Sequence, residues 1–150
     1  MNVEIISVWE SQFDGLKTNN LLSPLTPIYL AALFPPDVNV TICNEQVRPV
    51  NYDIDVDLVA ITFLIANAPH AYEIADRFRK RGTPVIMGGF HASALPDEAL
   101  EHADAVVVGE AEYIFPEIIK DFKQGSLKQI YNSSKLHPLK GLPMPRYDLV

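Results

Sequence analysis

Short apolar runs recur along the chain, each closed by a turn signal and most followed by a stretch of helical periodicity. Residues 58–64 read Leu-Val-Ala-Ile-Thr-Phe-Leu, 85–87 read Val-Ile-Met and 105–108 read Ala-Val-Val-Val. Runs this short and this apolar predict strands buried on both faces of a parallel sheet. Residues 3–9 and the alternating 38–43 add two more strands. Between them the period changes to that of a helix. Ser23 and Pro24 announce one, as cap and first helical residue, with Ile28, Tyr29, Ala32 and Leu33 toward the sheet and Pro35-Pro36 as its end. Residues 68–81 place Ala71, Ile74, Ala75 and Phe78 on one stripe, closed by Gly82. Helices over 96–102 and 110–123 follow, the second kinked or restarted at Pro116. Residues 44–57 carry no helical pattern, and 129–131 add at most a short edge strand.

Strand and helix in alternation predict a doubly wound α/β fold: a parallel five-stranded sheet, Rossmann-like or flavodoxin-like. The pattern fills residues 1–132. From 133 onward Ser133, Ser134, His137, Pro138, Gly141, Pro143 and Pro145 crowd together, the composition of a linker toward a further domain.

Charge and cysteine content narrow the function. Twelve Lys and Arg against 19 Asp and Glu give a formal charge of -7, which disfavours a nucleic-acid partner. The basic cluster Arg77, Arg79, Lys80 and Arg81 falls on the last turns of the 68–81 helix, where cations favour the dipole. Cys43 is the one cysteine, so neither an internal disulfide nor a cysteine-clustered metal site is available. No signal-peptide pattern and no membrane-length apolar run occurs, and the expected location is the cytoplasm.

In an open α/β sheet, ligands bind at the carboxyl ends of the strands. Three such ends carry small, hydroxyl-bearing or acidic residues: Thr62 with Phe63 and Leu64, Gly88-Gly89 with Phe90, His91 and Ser93, and Gly109 with Glu110, Ala111 and Glu112. Glu110 and Glu112 read either as paired carboxylates or as the acidic first turn of a helix. His91 has no second histidine or cysteine at ligand spacing and reads as a turn or surface residue. A dinucleotide-binding glycine loop is missing, because residues 10–22 hold Gly15 alone. A receiver domain would need an aspartate where Thr62-Phe63-Leu64 stands.

At these residues the chain resembles the amino-terminal cobalamin-binding domain of cobalamin-dependent radical S-adenosylmethionine enzymes. The resemblance rests on Leu22-Ser23-Pro24-Leu25 leading into Tyr29-Leu30-Ala31-Ala32, on residues 85–93 followed by Leu95-Pro96-Asp97-Glu98, and on Val107-Val108-Gly109-Glu110-Ala111-Glu112. The closing residues 142–149 resemble the segment that precedes the radical domain. It implies that Thr62-Phe63-Leu64 stands for the family's Ser-x-Leu, and that Gly88-Gly89 leaves room for the cofactor's nucleotide tail. Phe90, His91, Ser93 and the 109–112 stretch complete the implied site.

Three departures are visible. No histidine occurs in residues 10–22, so the resemblance implies cobalamin without a protein imidazole on cobalt. Ala111 replaces the second glycine of Gly-Glu-Gly-Glu. The three-cysteine iron–sulfur motif is absent, so methyl transfer or ring formation would need a separate radical domain with its iron–sulfur cluster and S-adenosylmethionine. The alternative is the same fold without cobalamin, serving as a docking or substrate-binding scaffold. A small metal-dependent hydrolase using Glu110 and Glu112 has little support.

Overall fold

The computed structural model describes residues 1–9, 25–133 and 140–150. The expected cap at Ser23-Pro24, the loop after the first strand and the tail positions Ser134, His137 and Pro138 lie outside the described residues. Six strands form one sheet: β1 (Asn2–Ser7), β2 (Asn39–Asn44), β3 (Leu58–Thr62), β4 (Val85–Gly88), β5 (Ala105–Val108) and β6 (Ile130–Asn132). Their order is β2-β1-β3-β4-β5-β6, and every pairing is parallel. The sheet has six strands rather than five, because the edge piece near 130 pairs with β5 from Val106–Ile130 to Val108–Asn132.

Helix α1 (Leu25–Ala32) and α5 (Phe115–Lys123) cover one face, joined by an edge-on contact of Phe34 with Phe115 at 4.8 Å. Helices α2 (Ala68–Lys80), α3 (Phe90–Ala94) and α4 (Pro96–His102) cover the other. The expected α2 stripe is the observed one, with Ala71, Ile74, Ala75 and Phe78 buried. Burying side chains such as Phe78, Ile74 and Met87 contributes roughly 1.5–3 kcal/mol each. On α1 the buried stripe is Pro27, Ile28 and Ala31, one position off the expected set. Tyr29 is left on the flank of the helix, only half-buried.

Two further segments differ from expectation. Helix α5 begins at Phe115, not at 110, because the Ala111 carbonyl accepts from the amides of Ile114 and Phe115 in a tight turn. Pro116, which lacks an amide proton, then falls in the first turn and no kink is needed. Residues 44–57 cross over without a helix. Val50, Tyr52, Ile54 and Val56 pack on the α2 core, while Asn51, Asp53, Asp55 and Asp57 alternate outward. Arg48 pins the start of this crossover to Glu4, fully buried in β1, at 2.9 Å. Burial raises the Glu4 carboxyl, with the Arg48 charge acting against it.

The described tail returns to the domain, since the Arg146 amide donates to the Ile28 carbonyl at 2.9 Å and Leu149 packs on the α1 side of the core. No described helix is long and apolar enough to cross a membrane.

Candidate functional site

The chain leaves β1 for β2 on one side and then reaches β3 on the other, so the topological switch lies between the ends of β1 and β3. Four contacts fix that end of the sheet. The Val8 amide donates to the Thr62 carbonyl at 3.2 Å, and the buried Asn67 side chain donates to the Val8 carbonyl at 3.0 Å. Glu45 accepts from the Trp9 amide at 3.0 Å and pairs with His70 at 2.9 Å. Asn67 and Glu45 were not singled out from sequence, where nothing distinguishes them from loop residues.

Thr62 stands beside Gly88 in the register of β3 and β4. Gly89 follows with φ +104°, and a Cβ there would lie 2.8 Å from the Phe63 carbonyl oxygen and 3.2 Å from Thr62 Oγ1. Glycine is required at this point because two backbones meet. A side chain at Gly89 would run into the Phe63 backbone. At Gly88 a Cβ would meet Val107 Cβ at 3.7 Å, an ordinary contact.

His91 turns inward. Its ring is buried against Phe63 and Tyr72, and Nε2 donates to Glu98 Oε1 at 3.1 Å. Tyr72 donates to the same oxygen at 2.9 Å and stacks on His102, which pairs with Asp76. These bonds hold the Glu98 carboxyl below the ordinary glutamate value, with the His91 bond the larger cause. Burial and the bond to Glu98 push the Tyr72 phenol upward. This network lies between α2, α3 and α4, so His91 is neither a turn nor a surface residue. Ser93 is likewise a tie, its Oγ accepting from the Gly109 amide at 3.0 Å.

The end of β5 forms a different corner. Gly109 has φ +82°, and a Cβ there would press on the Ser133 carbonyl at 3.0 Å. The Ser133 amide bonds Val108, yet Ser133 Oγ is buried with no hydrogen-bond partner. Glu112 Oε2 and the Tyr29 hydroxyl are buried and unpartnered as well. Burial raises the Tyr29 phenol, and the charges of Glu112, Tyr113 and Glu110 push the same way. Glu110 is exposed, and Ala111 packs its methyl on the core. Tyr29 was expected to face the sheet and was not singled out as a site residue.

Large apolar side chains also surface on this edge. Trp9 follows β1, Leu64 and Ile65 follow β3, Phe90 and Leu95 follow β4, and Tyr113 follows β5. Phe90 is 78% exposed. The basic end of α2 lies at the opposite edge, beside a cavity of about 410 Å³. There the Arg77 guanidinium sits 3.5 Å over the Tyr52 ring and Arg81 pairs with Asp53 at 3.1 Å. Among the described residues no cluster of three or more His, Cys, Asp or Glu is placed to hold a metal ion.

The sequence matches the family model described as the B12 binding domain over residues 28–119, from α1 into α5. The chain belongs to the B12-binding domain family. This B12-binding domain is 42% identical over 114 residues to bacteriochlorophyllide d C-8(2)-methyltransferase of Chlorobaculum tepidum, covering 75% of the chain and 25% of that protein. It is 35% identical over 128 residues to bacteriochlorophyllide d C-12(1)-methyltransferase of the same organism, covering 83% and 28%. The B12-binding domain thus spans about a quarter of the length of these curated relatives. Among solved structures, the N-terminal domain of a hypothetical protein of Thermotoga maritima aligns with a TM-score of 0.46 at 27% identity, over 57% of this chain and 74% of that one.

Proposed function

We propose that the chain is the cobalamin-binding module of a methyl-transferring enzyme, positioning the corrin at the carboxyl edge of the sheet for a radical S-adenosylmethionine domain. The observation that carries this reading is the collar of exposed apolar side chains at the strand ends, Trp9, Leu64, Ile65, Phe90 and Tyr113. A broad macrocycle laid on that collar would bury it, and such exposed patches mark binding sites. When bound, cobalamin supplies a carrier for the transferable methyl group. The iron–sulfur cluster and S-adenosylmethionine would belong to the radical domain, and residues 133–150 would lead toward it. A cytoplasmic location accords with the single free thiol of Cys43.

Residues 10–22 carry no histidine, so this reading puts no protein imidazole on the cobalt. Titration of the purified chain with hydroxocobalamin and methylcobalamin, followed by desalting and ultraviolet-visible spectra, tests the reading. Retained corrin without an axial imidazole signature supports it. No retention of either form sinks it, in favour of the cofactor-free scaffold.

A further inference from the structure

We propose that the cavity between the 44–57 crossover and the end of α2 takes the doubly charged phosphoryl group of a small molecule. Its walls include Asn51, Tyr52 and Asp53 from the crossover and Arg77, Lys80 and Arg81 from α2. Spaced three and four residues from Arg77, the other two cations share its helix face. A chain of formal charge -7 thus keeps a local excess of positive charge.

Closing the helix does not occupy these cations. The Arg81 and Thr83 amides donate to the Phe78 carbonyl at 2.9 and 3.1 Å, and the Gly82 amide donates to the Arg79 carbonyl at 2.9 Å, so backbone caps the last turn. Arg81 pairs with Asp53 at 3.1 Å, whereas the Arg77 guanidinium lies over the Tyr52 ring and not on a carboxylate. Among the described residues the Lys80 ammonium has no partner. Against the three cations stand Asp53 and the helix dipole, worth roughly half a charge, which leaves positive charge in excess of one.

That surplus selects the ligand. Asn51 Oδ1 accepts from the Asp53 amide at 3.1 Å, so its side-chain N–H groups are left to donate alongside the cations. The ligand must bring several acceptor oxygens and more than one negative charge. A phosphoryl group meets both requirements, and a monocarboxylate falls short on charge. The volume of about 410 Å³ is that of a small-molecule site, with room for an organic part as well. The cavity lies at the edge opposite the strand-end collar, so the proposal is independent of the corrin.

Calorimetry with glycerol phosphate, inorganic phosphate and acetate tests it on wild type, Lys80→Gln and Lys123→Gln. The last removes the same charge from α5, on the other face of the sheet. Lys80→Gln should weaken both phosphates about tenfold, the worth of one charge-assisted bond, while Lys123→Gln leaves them unchanged. Acetate should bind more weakly than either. Tighter binding of glycerol phosphate than of inorganic phosphate supports the site with an ester as its ligand, and equal affinity supports it with free phosphate. Binding of neither phosphate, equal weakening by the two variants, or acetate binding as tightly would overturn it. Saturation by hexaglutamate where neither phosphate binds would overturn it in favour of a docking surface for an acidic protein segment.

Discussion

The two polar corners of the strand-end edge are built from similar residue types and have opposite characters. On the α2–α4 side, His91, Tyr72 and Glu98 are bonded to one another, and the glycine beside them, Gly89, faces backbone at 2.8 Å. On the α1–α5 side, Tyr29, Glu112 and Ser133 keep buried oxygens without partners, and Gly88 has ordinary clearance to Val107. A tyrosine and a glutamate occur in both corners. What differs is whether the protein supplies their hydrogen bonds. A completed network rigidifies and specifies the fold, whereas unpaired buried oxygens cost stability.

The largest expected effect sets the two glycines against each other. Gly89→Val places a branched side chain at positive φ against the Phe63 carbonyl, and overpacking alone costs about 1–3 kcal/mol, with the strained φ adding about 1–2. Gly88→Ala should change stability by less than about 1 kcal/mol, since the new methyl meets only Val107. Urea unfolding midpoints measure both. Equal losses at the two positions would erase the distinction between a closed and an open side.

That distinction was only partly legible in the sequence. Strands β3, β4 and β5 announce themselves because a strand covered on both faces must be apolar throughout. The crossover at 44–57 was also written there, in the period-two alternation of Val50, Tyr52, Ile54 and Val56, but its helix-free form runs against the habit of filling crossovers with helices. The start of α5 was misplaced because acidic residues near a helix start fit the dipole equally well inside the helix or just before it. Gly89 was recognised as necessary, but sequence cannot say whether a glycine clears space for a ligand or for the protein's own backbone. The unpartnered oxygens were beyond reach altogether. Whether Tyr29 finds a partner depends on α1, the turn after β5 and the end of β6 meeting at one corner.

A smaller effect has opposite sign in the two corners. Tyr72→Phe removes a bond to Glu98 and should cost about 0.5–1.5 kcal/mol. Tyr29→Phe removes a hydroxyl that has no partner, so the ligand-free protein should lose nothing and gain up to about 1 kcal/mol. Urea midpoints of the two variants, measured side by side without cofactor, decide it. A loss in Tyr29→Phe as large as that in Tyr72→Phe would mean that the open corner is satisfied after all.

The smallest effect is a pH dependence confined to the closed corner. The Glu98 carboxyl lies below its ordinary value of 4.5, chiefly through the His91 bond and then through Tyr72. A depressed carboxyl binds fewer protons folded than unfolded, so its contribution is full above the unfolded value and disappears as pH falls through the folded one. Glu4 acts in reverse, because burial raises it and its protonation in acid favours the fold. Comparing wild type with Glu98→Gln cancels Glu4, which both proteins carry. Wild type should therefore be the more stable at neutral pH and lose that advantage only below about pH 4.5, while Glu98→Gln shows a flatter acid limb. Parallel acid limbs in urea titrations from pH 3 to 7 would show that the bonds to His91 and Tyr72 do not hold the Glu98 charge, and the closed corner would then owe its order to packing alone.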